Sequence, residues 1–199
     1  MADGTKVLAT RNMLVYFVAH SSTNLLPENT ILWGTTWGTP SGQSSPWIAA
    51  GYTSGGVHFA TEVTRGEIRV DQELDPVLRP ATARTASMNT NLAEFTMANL
   101  ATATGQGSVA TTAATTAARG HDEWTMGSTV ADSFFSMGFD LRHQDAEAVR
   151  VVGWRWQPIG SPTFDFTPEA AALIPLNGSL LPEASTGRIA TIRDVIPQA

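Results

Sequence analysis

The chain has 199 residues and a formal net charge of −6, with 42% hydrophobic and 15% charged residues. That apolar share sustains a core and excludes wholesale disorder, and no run approaches the roughly 20 apolar residues of a membrane span. The absence of cysteine excludes disulfides, thiolate metal sites and a thiol nucleophile, while the acidic balance argues against a basic face that grips phosphates.

One domain over residues 1–199 is expected. Residues 1–12 read as an extended N-terminal arm whose first six residues are polar, unlike a signal peptide. Met13 to Ala19 is an apolar run of strand length. Residues 20–47 then read as a long loop rich in proline and glycine. That loop carries Leu25, Leu26, Trp33, Trp37 and Trp47, which either fold over their own core or pack on a neighbouring subunit. Arg11 joins these five as a candidate interface residue, since arginine suits bidentate pairing at subunit contacts. Lys6 is the only lysine; an Arg-rich, Ala-rich composition also follows from a GC-rich genome.

His58 to Thr64 alternates as a strand, Arg65-Gly66 reads as a hairpin turn, and Glu67 to Asp71 alternates charged and apolar residues as a returning strand. Thr82 to Thr90 has strand length. Asn91 and Glu94 fit a capping box, which predicts a helix over 92–104 with Leu92, Phe95, Leu100 and Ala103 on one face and Gly105 as its stop. Residues 105–123 are low in complexity and read as an exposed loop or loose hairpin. Phe135 to Leu141 alternates cleanly. Residues 148–157 alternate too, with Val152, Trp154 and Trp156 on one face. Residues 163–166, 172–176 and 188–196 complete eight or nine strands. A β-sandwich or barrel with one packed helix is the natural architecture.

The chain lacks a phosphate-cradling glycine loop and a nucleophile elbow. His121-Asp122-Glu123 reads as a polar loop, and His143, Asp145 and Glu147 as a solvated turn. The acids Glu67, Asp71 and Glu73 read either as a solvated strand face or as a face lining an acidic channel. No catalytic, cofactor or metal-binding residue is assigned.

The run Gly51-Tyr52-Thr53-Ser54-Gly55-Gly56-Val57-His58-Phe59 resembles a turn-and-strand signature of the major tail proteins of long-tailed bacteriophages, especially those of actinobacteria. Leu74-Asp75-Pro76-Val77 resembles their Leu-Asp-Pro-Val segment. A strand with Arg84-Thr85-Ala86 and the Leu92-Ala93-Glu94-Phe95-Thr96 opening follow in the family's order. The likeness covers about residues 47–105 and, more weakly, 160–196.

The resemblance implies a fold of two packed antiparallel sheets, a sandwich forming part of an oligomeric barrel, flanked by one helix with extended arms and a long loop. It implies homo-hexameric rings stacked into a virion tail tube, assembled in the bacterial cytoplasm, through which double-stranded DNA passes without specific binding. It further implies contacts with tape measure, tail terminator and distal tail proteins, and no membrane insertion of this chain. The N-terminal arm, the 20–47 loop and residues 188–199 would bridge subunits or rings. Glu67, Asp71 and Glu73 are then candidates to face the lumen. Two other readings stay open: another non-enzymatic virion protein, such as a tail terminator or capsid decoration protein, and a carbohydrate-binding sandwich with Trp33, Trp37 or Trp154 as sugar platforms.

Overall fold

A computed structural model describes residues 8–9, 13–24, 47–71, 75–116, 118–127, 132–143, 148–160, 162–166 and 172–195. The chain is mainly β, with two antiparallel sheets and a single helix among these residues, as the alternation predicts. The strands are β1 (Leu8–Ala9), β2 (Leu14–Ala19), β3 (Ile48–Arg65) and β4 (Ala81–Leu92). After the helix α1 (Met97–Thr104) come β5 (Ser108–Thr112), β6 (His121–Thr125), β7 (Phe135–His143), β8 (Ala148–Pro158), β9 (Ile174–Leu180) and β10 (Ala190–Val195).

Six strands of the larger sheet pair around a closed circuit, β2–β3–β4–β9–β8–β7 and back to β2, every pairing antiparallel. One edge of β8 is shared: β9 takes residues 156–158 and β10 takes residues 148–153. The circuit encloses the main core, built from Val15, Phe17, Met88, Leu92, Met137, Phe139, Val151, Trp156, Ile174 and Leu176. A second cluster of Tyr16, Val18, Trp47, Val152 and Trp154 lies on the other face of β2 and β8. Burial on both faces explains why β2 reads as an unbroken apolar run.

A bulge separates the two β8 tryptophans. Trp154 and Arg155 together stand opposite Ser136 of β7, because Met137 pairs with Gly153 and Phe135 with Trp156. The extra residue reverses the alternation, so Trp156 enters the enclosed core while Trp154 joins the outer cluster. The expectation of one shared face therefore fails at Trp156.

The helix begins later than the capping-box pattern predicts. Leu92 is fully buried in the ladder between Thr53 and Ile174, so β4 claims Asn91 and Leu92. Thr96 caps α1 instead, its side chain accepting a hydrogen bond from the Asn99 backbone amide, and Gly105 ends it with φ +64°. Glu94 Oε1 accepts from the Tyr52 amide rather than from a helix end. The low-complexity stretch forms the hairpin β5–β6, and α1 contacts both of its strands and β9. The strand predicted over 163–166 is absent: this segment is irregular, with Phe166 packed edge-on to Phe95 at 5.4 Å.

Candidate assembly surface

The longest strand pair leaves the barrel. β2 accompanies β3 only over Ile48–Tyr52, and β9 accompanies β4 only over Ser87–Leu92. Among the described residues, the outer edges of β3 from Thr53 to Arg65 and of β4 from Ala81 to Ala86 have no strand beside them. Because β9 still pairs with β4 as far as Ser87, opposite Ala60, the ribbon is bare on both edges from Thr61 to Arg65, about 13 Å at ~3.3 Å per residue. Upstream of that stretch β3 bulges where Gly55 and Gly56, with φ +82° and +79°, are skipped between the pairs Ser54–Asn91 and Val57–Thr90. A side chain at either glycine meets nothing within 4 Å, so backbone conformation and not space calls for glycine there. Thr90 Oγ1 donates to the Gly56 carbonyl at 2.7 Å and holds the bend.

Register sorts the ribbon's side chains. Phe59 packs on the core opposite buried Met88, so Thr61–Ala86 and Val63–Arg84 continue that inward face. The pairs Ala60–Ser87, Glu62–Thr85 and Thr64–Ala83 form the opposite face, of small side chains with Glu62 as its carboxylate. Beside the inward face, Phe59, Thr61, Arg84, Ala86, Ile189, Ala190 and Ile192 line an open groove of about 200 Å³ between the ribbon and β10.

The connection across the ribbon's far end is a loop over 66–80, not a turn at Arg65-Gly66. Among its described residues only Ile68 and Leu78 bridge, and residues 67–71 form no strand. Gly66 donates to the Pro80 carbonyl and Ile68 to the Leu78 carbonyl, each at 2.9 Å. Glu67 lies 3.0 Å from Arg69 and 3.0 Å from Arg79, which neutralise it. A bare acidic face is therefore a poor description of Glu67. Asp71 is exposed in the same loop. Glu73 lies outside the described residues.

The candidate interface residues separate similarly. Arg11, Leu25, Leu26, Trp33 and Trp37 lie outside the described residues. Trp47 is only 1% exposed and sits in this chain's own outer cluster, which corrects its assignment to a subunit contact. Trp154 is equally buried, donates from Nε1 to Thr191 Oγ1 at 2.7 Å, and carries the Arg188 guanidinium on its ring at 3.8 Å. It is no sugar platform. Residues 190–195 of the expected C-terminal bridge are paired along β8, and Leu8–Ala9 of the arm along β7.

Buried ionisable groups serve the fold. Arg150 Nε and Nη2 donate to the two Asp140 oxygens at 2.8 and 2.9 Å, a bidentate pair away from water. Tyr16 is pushed up to about 12 by burial and by the Asp140 charge, partly offset by Arg150. Glu183 accepts from Arg188 Nε at 2.7 Å and from Thr186 Oγ1, closing the turn between β9 and β10. Burial alone would raise its carboxyl, but the Arg188 and Thr186 hydrogen bonds and the Arg188 and His20 charges hold it below its ordinary value.

Among the described residues no group of three or more His, Asp or Glu is placed to hold a metal ion. His121 and Glu123 point to one face of β6 and Asp122 to the other, where it accepts from Thr111 Oγ1 at 2.7 Å. Only the backbone of His143 is described; Asp145 and Glu147 lie outside. No helix of the described residues is long and apolar enough to cross a membrane. Compared with known protein families and with curated proteins, the chain finds no match in either.

Proposed function

We propose that this chain is the repeating subunit of a hollow tube: the tail tube of a long-tailed bacteriophage, built of stacked six-membered rings and serving as a conduit for double-stranded DNA. One observation carries the reading, the β3–β4 ribbon with both outer edges bare. Exposed strand edges call for a partner, and a head-to-tail contact that closes by rotation makes a ring. In such a ring the β3 edge of one copy meets the β4 edge of the next. Because β3 and β4 run in opposite directions, each new pairing is antiparallel, and the ribbons join into one continuous barrel. The ring number, the stacking and the phage context come from the sequence resemblance, as do tape measure, terminator and distal tail proteins as partners.

The face turned away from the subunit's own core then lines the bore. Its Ala60, Glu62, Thr64, Thr85 and Ser87 offer a smooth wall. Among these five only Glu62 is charged and it repels phosphates, while exposed His58, paired with Asn89, lies on the same face nearer the barrel. This moves the candidate lumen acid from Glu67 to Glu62.

Negative-stain electron microscopy of the concentrated protein tests the proposal; long hollow tubes with a regular axial repeat are expected. Proline at Glu62 and, separately, at Val63 provides the control. Adjacent residues present their amides to opposite edges, so one of the two variants removes an outward donor and obstructs the joint. That variant should remain a folded monomer. Wild-type protein that stays monomeric at high concentration, or tubes unaffected by either proline, overturns the reading.

A further inference from the structure

We propose that β10 is the second wall of a socket between neighbouring subunits of one ring, and that the socket's occupant is the β3 edge of a second copy of this chain. The inference rests on the tube reading and goes beyond it: edge pairing needs only β3 and β4, whereas here a strand of the facing layer governs the joint.

The place of β10 follows from how β8 divides its edge. β9 stands between β4 and β8 only as far as the pairs Ser87–Ser179 and Trp156–Leu180. Beyond them β10 takes the β8 edge, and the bare stretch of β4 borders the groove, with Arg84 and Ala86 on one side and Ala190 and Ile192 on the other. The β4 backbone opens to this side. The Met88 carbonyl points there, accepting from Trp156 Nε1 at 2.9 Å, and at period two the backbone groups of Ala86 and Arg84 follow it. A strand added to this edge therefore lies along β10.

The β3 edge of a neighbour fits that place. Carried across the joint, its inward face brings Thr61 and Val63 over β10. Val63 is 45% exposed in its own chain and Ile192 is 60% exposed on the groove, so the joint buries two aliphatic side chains that each subunit leaves in water. Charge selects this occupant over the other edge pairings. Arg84 lines the groove and takes part in none of the ion pairs among the described residues. Two β4 edges placed together would set the Arg84 groups of two copies on one face, and two β3 edges would leave Ile192 of both copies uncovered. The inward face of β3, with Phe59, Thr61 and Val63, carries no charge, so β3 on β4 avoids both costs. The joint is heterologous: each subunit has a plug at β3 and a socket at β4 and β10.

Native mass spectrometry of the full chain provides the test. The plug variant is Thr61→Lys with Val63→Lys; the socket variant is Ile192→Lys. All three positions are exposed, so each variant should keep the wild-type circular dichroism. Each alone should need about tenfold more protein than wild type to form rings. Ile192→Ala, which removes cover without adding charge, should act in the same direction by about threefold. At a concentration where each variant alone is monomeric, an equimolar mixture of plug and socket variants should give a dimer of one copy each and nothing larger, because one intact plug meets one intact socket. Rings from both Ile192 variants at the wild-type concentration, or a mixture that stays monomeric, overturn the inference while leaving the pairing of β3 with β4 standing. Wild-type protein that forms no rings removes the tube reading itself, and the inference with it.

Discussion

Asp140 and Arg150 show how a polar pair is tolerated where water is excluded. Two short hydrogen bonds join the charges. Breaking a buried pair by removing one member typically costs about 3–5 kcal/mol, whereas replacing both by apolar residues is often close to neutral. Asp140→Leu alone and Arg150→Met alone should therefore lower stability by about that amount, and the double variant by less than either; urea denaturation midpoints check the ordering. Glu183 supplies a pH-dependent counterpart. Its carboxyl is held below the ordinary 4.5, so its contribution is present at neutral pH and is lost as pH falls below that value through the folded-state pKa. The stability gap between wild type and Glu183→Gln should be largest at pH 7 and shrink on acidification to pH ~3, measured by urea unfolding across that range. Neither pair was visible in the sequence. Asp140 lies ten residues from Arg150 on another strand, and only the β7–β8 register brings them opposite each other.

At the scale of single elements, the start of α1 separates two plausible caps. Thr96→Ala should destabilise the protein by about 1 kcal/mol, while Asn91→Ala should leave the helix intact; thermal unfolding followed by circular dichroism distinguishes them. The capping-box pattern at Asn91 and Glu94 is genuine as sequence, yet Leu92 gains more by closing the barrel interior than by starting a helix turn. The alternation from Phe135 to Leu141 made β7 legible from its residues alone, whereas β9 runs Ile174–Leu180 and not the expected 172–176, because Asn177, Gly178 and Ser179 carry no apolar signal. β8 was legible as a strand but not in its phase, because a one-residue bulge leaves no mark in the local pattern. The ribbon was least legible. Gly66 and the alternation over 67–71 imitate a tight hairpin, whereas the pairing of β3 with β4 spans the whole intervening loop. The place of Glu62 on a ribbon face is hidden in the sequence for the same reason, since a face becomes meaningful only once register assigns it.

For the molecule as a whole, the closed circuit means that the barrel satisfies its own strands and the ribbon does not. Backbone amides over 57–65 and 81–86 should exchange rapidly with solvent in the free subunit and slow by at least tenfold once tubes form, whereas those of β7 should be slow in both states. Hydrogen–deuterium exchange read by mass spectrometry before and after assembly measures this directly. Equal exchange in the ribbon before and after tube formation would mean that neighbours do not pair along these edges.

The stretch from Thr61 to Arg65 is a short cantilever, rooted where Ser87 still pairs with Ser179 and about 13 Å long at ~3.3 Å per residue. Were copies to join as proposed, a tilt of roughly 5° at that root would carry its far end sideways by about 1 Å, so the calibre of the channel would depend on where β9 lets go of β4.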